Sequence, residues 1–156
     1  MELPIENVQS YPRPPSLEPV AQRVQVWLGG DEIVSTKDAL RVLETHHAPT
    51  YYIPRADITA EIRPASGASF CEWKGAARYW TLMANGVVAD RCAWDYPSPT
   101  RDFATLRDHL ALYAHAMDEC RVGGVAVVPQ PGNFYGGWVT PNLRGTVKGA
   151  PGTEGW

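Results

Sequence analysis

A chain of 156 residues, 44% hydrophobic and 20% charged, has the size and composition of one globular domain able to bury a core without metal or disulfide staples. Its formal net charge of −3, with amines only at Lys37, Lys74 and Lys148, argues against a general electrostatic grip on nucleic acid. No apolar run approaches the roughly 20 residues of a membrane-spanning helix, and Met1 to Pro19 lacks the apolar centre of a signal peptide, so a cytoplasmic protein with no membrane partner is expected.

Gly and Pro number 14 each, which fits short strands joined by turns better than a helical bundle. The cysteines, Cys71, Cys92 and Cys120, are odd in number and widely spaced. They show neither zinc-knuckle spacing nor a disulfide framework, so reduced thiols and no metal are expected.

Residues 1–20 read as a proline-rich arm, because Tyr11-Pro12-Arg13-Pro14-Pro15 favours extended polyproline geometry. A single β-rich domain follows over 21–128. Val24, Val26 and Leu28 alternate with polar or aromatic neighbours, and Gly29-Gly30 then predicts a hairpin into Glu32–Val34. Arg41–Thr45 and Thr50–Ile53 read as two more strands, and Ile58–Ile62 as a half-buried one. Asn85-Gly86 between Ala77–Met83 and Val87–Trp94 is the clearest hairpin signature in the chain. Thr100, Asp102 and the spacing of Phe103, Leu106 and Leu110 predict one short α-helix around 100–110, although Leu110–Tyr113 would equally suit a strand. Arg121–Val128 is a further hairpin. From Pro129 to Trp156 the composition turns to Gly, Pro, Asn and Thr, yet Phe134, Tyr135, Trp138 and Trp156 remain. Such rings predict a C-terminal tail that docks on the domain, closing a core edge or covering a cleft.

Chemistry concentrates in Ser69–Trp80, which holds a thiol, an amine and a guanidinium among aromatic residues. Lys74, beside Gly75 and between Trp73 and Tyr79, is placed to hold an anionic group or to act as a nucleophile or base if desolvated; the alternative is a surface lysine lying over rings. Cys71, three residues earlier, is a thiol that a neighbouring ammonium would activate, or a small buried hydrophobe. Glu44 ends an apolar strand and, if turned inward, needs a cation such as Lys74 or Arg78, as a proton-transfer group or a structural ion pair. His46 and His47 are adjacent before Pro49, so they point apart and read as solvated rather than as metal ligands. Among the many sheet rings, Tyr52 and Trp80 are the ones expected to reach a ligand.

Several motifs occur in order: Pro12-Arg13-Pro14-Pro15; Thr36 with Ala39-Leu40-Arg41-Val42 and Glu44; Tyr51-Tyr52-Ile53-Pro54; Cys71 with Lys74-Gly75 and Tyr79-Trp80; and Ala93-Trp94 with Tyr96-Pro97. Together they resemble a bacterial and fungal family known as domain of unknown function 427. The closing Lys148–Trp156 looks like the tail of one branch of that family. The resemblance implies a mainly β fold of small twisted antiparallel sheets, Mss4-like or barrel-like. Paired zinc knuckles, common in that fold group, are absent here. So are the Gly-rich cradle and paired Asp ligands required by the nucleotidyl transfer that one label of the family names.

Two functions are carried forward. In the first, Glu44, Cys71 and Lys74 as catalytic candidates, with Tyr52, Arg78 and Trp80 as binding candidates, line a pocket for a small anionic metabolite or nucleotide-like ligand. In the second, the proline-rich arm and the Trp-bearing tail make a non-catalytic interaction module. Cofactor and oligomeric state are left unassigned.

Overall fold

The computed structural model describes residues 3–132 and 134–156. Its strands are β1 (Glu6–Asn7), β2 (Ser16–Pro19), β3 (Val24–Leu28), β4 (Asp31–Thr36), β5 (Leu40–Leu43), β6 (Thr50–Pro54), β7 (Glu61–Cys71) and β8 (Gly75–Ala84). They continue with β9 (Val87–Asp95), β10 (His109–Leu112), β11 (Glu119–Val122), β12 (Val125–Ala126), β13 (Val128–Pro129), β14 (Trp138–Val139) and β15 (Leu143–Arg144). The fold is mainly β. A seven-stranded antiparallel sheet in the order β2-β5-β6-β10-β9-β8-β7 is joined by a four-stranded sheet, β12-β11-β3-β4. Two small pairs, β1 with β15 and β13 with β14, complete it, and the large sheet has two free edges rather than closing into a barrel. Among the described residues no helix is long and apolar enough to cross a membrane.

Strand alternation gives the large sheet two different faces. On one, Tyr51, Ile53, Leu82, Leu110 and Leu112 pack with Val24, Val26, Ile33 and Val34 of the smaller sheet. On the other, Val42, Tyr52, Ala77, Trp94 and Ala111 pack with Tyr96, Phe103 and Leu106. Leu110, Ala111 and Leu112 are all sealed, because β10 is central and covered on both sides.

That double burial explains where the expected helix goes. Only Arg101–Leu106 coils, as a 3-10 turn that drops Phe103 and Leu106 onto the sheet at their three-residue spacing. Asp108 then takes a left-handed conformation (φ 62°) and the chain enters β10. The Thr100 hydroxyl does not cap a helix but donates to the Trp73 carbonyl at 2.5 Å. Ile58–Ile62 is likewise not one strand. Arg55–Asp57 coils, Ile58 makes a lone bridge to Val34, and β7 begins at Glu61. β7 runs through the small residues after Pro64, tolerating that proline because it is an edge strand, with a register shift between Ala65 and Ala68.

The arm and the tail are tied to the sheet by specific groups. Arg41 donates to Glu6 at 2.8 Å and to Glu18 at 2.6 Å, and the Tyr11 hydroxyl donates to Glu6 at 2.5 Å. Burial alone would raise the Glu6 pKa, but the bonds from Arg41 and Tyr11 outweigh it and hold the carboxyl below its ordinary range. In the tail, Trp138 stacks on Tyr51 with centroids 5.1 Å apart, and its indole N–H donates to the Leu112 carbonyl at 3.0 Å.

Gly136 sits against the Trp94 ring so closely that a Cβ there would lie 2.0 Å from a ring carbon. We therefore expect Gly136→Ala to destabilise the fold by about 1–3 kcal/mol through overpacking. Gly155→Ala, which meets nothing within 4 Å, is the matched control. Urea unfolding checks this, and equal midpoints for the two variants would refute the tail's close docking.

Candidate functional site

The turn between β7 and β8, Glu72-Trp73-Lys74, carries the first functional group. Gly75 takes φ +109° beside the Ser98 carbonyl, a conformation that favours glycine, and the Thr100 N–H donates to the Lys74 carbonyl at 3.0 Å. The turn is thus held against the loop after β9, and the Lys74 side chain runs inward. It is only 8% exposed, with Nζ 5.7 Å from the centre of the Tyr96 ring and 5.8 Å from that of Phe103. Among the described residues no ion pair or side-chain hydrogen bond engages this amine. The faces of two rings are its company, an arrangement that attracts a cation but leaves its donors unused.

Next to it lies an aromatic recess of about 270 Å³, walled by Tyr79, Trp94, Tyr96, Tyr113 and Tyr135, with Cys71 among its lining residues. Phe70 and Phe134 stand at this recess, 77% and 74% exposed. Cys71 is half-buried, whereas Cys92 and Cys120 are sealed in the core, where burial pushes their thiols up to about 11 and about 12.

A second, polar recess of about 330 Å³ is lined by Arg13, Glu44, Thr45, His46, His47, Lys148 and Trp156. Tyr135 connects the two: its ring meets the His47 ring edge-on at 5.3 Å, and Lys148 Nζ lies 5.7 Å from its centre. His46, in a left-handed turn (φ 66°), lies against Trp156 at 4.5 Å and holds a sealed Nδ1 with no hydrogen-bond partner. Burial lowers the His47 pKa; Glu44 opposes the shift, while Lys148, Lys74 and His46 add to it.

The six residues expected from sequence to share one pocket are divided by the sheet. Glu44 and Lys74 both act on His47 but form no ion pair with each other. Cys71 lines the aromatic recess on the Lys74 side. Tyr52 lies on that face too, but it is sealed behind Tyr96 at 6.3 Å, and its burial pushes the phenol well above its ordinary range. Tyr52 backs the wall rather than facing the recess. Arg78 and Trp80 are one register position away from Ala77 and Tyr79, so alternation sends them to the opposite face. There Arg78 donates to Asp95 at 2.9 and 3.2 Å, Trp80 donates to Asp95 at 2.9 Å, and Arg55 lies 4.5 Å over the indole. That cluster neutralises a buried carboxylate, away from Lys74.

His46 and His47, expected in solvent, line the polar recess instead. Lys148 lines it with them, and Gln130, 2% exposed, contacts His47 without lining the recess. The aromatic tail hinted at Tyr135; nothing local in the sequence marks Gln130. Among the described residues no group of three His, Cys, Asp or Glu is placed to hold a metal ion. A more enclosed cavity of about 150 Å³ lies under the arm, but its charged lining residues Glu6, Glu18 and Arg41 already satisfy one another.

The family defined as a domain of unknown function, DUF427, matches residues 16–123, from β2 to the turn after β11. The chain belongs to that family. The matched DUF427 span contains Glu44, His46, His47, Cys71 and Lys74, while Gln130, Tyr135 and Lys148 lie beyond it. No curated protein matches the chain.

Two outcomes follow from this geometry. Alkylation of the native protein at roughly pH 8 should modify Cys71 well before Cys92 or Cys120; peptide mass spectrometry reads the order, and prior labelling of a core thiol would contradict it. Because the folded pKa of His47 is lowered, the unfolded chain binds that proton first, so stability should fall as pH drops below about 6.5. His47→Gln should lose less stability than the wild type between roughly pH 6.5 and pH 5, measured by thermal unfolding. Identical pH slopes would show that His47 is not buried as a neutral ring.

Proposed function

We propose that this domain binds a small anionic molecule, such as a nucleotide-like metabolite, at the seam where the aromatic and polar recesses meet around Tyr135. The observation that carries the reading is Lys74, which is 8% exposed and whose amine keeps solvent contact but meets no acceptor among the described residues. Holding an ammonium largely out of water is costly unless something compensates it, and two ring faces supply only part of what a bound anion would. Each recess is near the lower limit for a ligand pocket, so a ligand of modest size spanning both is favoured. The rings of Tyr96, Tyr113 and Tyr135 offer surfaces for its flat portion, and Lys74 and Lys148 offer charge to its anionic portion.

The groups available for turnover of such a ligand are the Cys71 thiol, the Glu44 carboxylate and the Lys74 amine. Three unpaired thiols fit a reducing compartment such as the cytoplasm. A second reading, a non-catalytic interaction module, draws support from the exposed rings Phe70 and Phe134, which a partner would cover. It draws less from the arm and the tail, since Val8, Tyr11 and Trp138 are already buried within the domain.

Thermal-shift screening of anionic metabolites against wild type and Lys74→Met tests the binding reading. The expected result is a stabilising ligand for the wild type whose effect is lost or at least tenfold weaker in the variant. Identical responses of the two proteins to every compound would overturn it.

A further inference from the structure

The Gln130 side chain lies against His47, with its Nε2 3.2 Å from the His47 Nδ1. Its Oε1 accepts the Ala48 backbone N–H at 3.0 Å, which establishes the orientation of the amide, because the nitrogen end cannot accept. The –NH2 end then faces two groups: the Lys148 carbonyl at 2.9 Å and His47 Nδ1 at 3.2 Å. A carbonyl only accepts, so one N–H goes there and the other points at Nδ1. Nδ1 must therefore carry its lone pair, and the proton of the neutral imidazole resides on Nε2. An imidazolium would set two N–H groups against each other. Burial of the ring works in the same direction.

Nε2 has no hydrogen-bond partner among the described residues. It is also not a sealed atom, since His46 Nδ1 is the one sealed and unpartnered polar side-chain atom among them. Nε2 therefore keeps solvent contact in a residue that lines the polar recess. We infer that Gln130 locks His47 as a neutral Nε2–H donor, and that this N–H together with Arg13 and Lys148 forms the oxyanion subsite of the recess, for the phosphate or carboxylate end of a ligand. The subsite rests on the reading proposed above, whereas the lock is a property of the free protein.

The consequence is a division of labour. A neutral imidazole aimed at an oxygen polarises it without accepting a proton, so His47 is a donor and not a general base. Proton acceptance in this recess falls to Glu44. The charged and titratable groups that act on His47 are Glu44 and His46 from its own turn, Lys148 from the tail and Lys74 from the β7–β8 turn. Gln130 is the positioning residue.

Nitrogen-15 NMR of the histidine side chains in the full chain reads the tautomer directly. At neutral pH His47 is expected as the Nε2–H form, and in Gln130→Glu, which offers an acceptor at Nδ1, it should become Nδ1-protonated. A wild-type His47 that is Nδ1–H or doubly protonated at neutral pH overturns the lock, whether or not the variant folds. Inorganic phosphate and acetate, each added at matched ionic strength against sodium chloride, should move the His47 Nε2 signal saturably. His47→Gln, which keeps an N–H near that position, should retain phosphate binding in a thermal-shift titration, and His47→Leu should weaken it at least tenfold. A locked ring that neither anion perturbs overturns the oxyanion subsite, and leaves the Lys74 reading to stand or fall on its own metabolite screen.

Discussion

The buried amide of Gln130 is the constraint on which the candidate site depends. Its backbone N–H donates to the Gly137 carbonyl at 2.9 Å, and its side chain engages Ala48, His47 and Lys148. Four points of the chain, in the β5–β6 connection and in the two arms of the tail, are held by one residue. Each of these groups would be left short of a partner if the tail moved away, and an unmet buried donor or acceptor costs about 1–3 kcal/mol. Gly137 reflects the same closeness, since a Cβ there would come within 2.2 Å of the Gln130 Oε1. The recesses exist because the tail is fastened at this position.

Charge is treated differently on the two faces of the large sheet. On one face Asp95 is buried, and it is satisfied by the Arg78 guanidinium and the Trp80 indole. Under the arm, Arg41 is satisfied by Glu6 and Glu18. Around Tyr135 the pattern breaks: Lys74 meets only rings, and Lys148 lies over an aromatic face. Lys74 is a largely buried amine that no carboxylate meets among the described residues, and such departures from local consistency gather at functional sites.

Much of the scaffold was legible because its instructions are local. Gly29-Gly30 and Asn85-Gly86 all take positive φ, as the hairpins they predict demand. The 100–110 segment was misread because three-residue spacing serves a 3-10 turn as well as an α-helix, and because a short apolar run sealed on both faces loses its alternation. The site was legible only in part. Lys74, Cys71 and Glu44 stood out by residue type, but the faces of Arg78 and Trp80 depend on strand register, which one residue of slip reverses. Gln130 lies 83 residues from His47 in sequence, and a lone glutamine near a proline carries no mark of a contact at that range.

The most direct measurement is a crystal structure of the protein with phenyl phosphate, a probe that carries a flat ring and an oxyanion in one small molecule. The phosphate should lie within hydrogen-bond distance of His47 Nε2 and close to Lys148, with the ring against Tyr135 on the side of Tyr96 and Lys74. A phosphate held instead by Arg78 and Arg55 on the opposite face, or a ring and phosphate that leave His47 and Tyr135 untouched, would contradict a shared site built by the Gln130 brace.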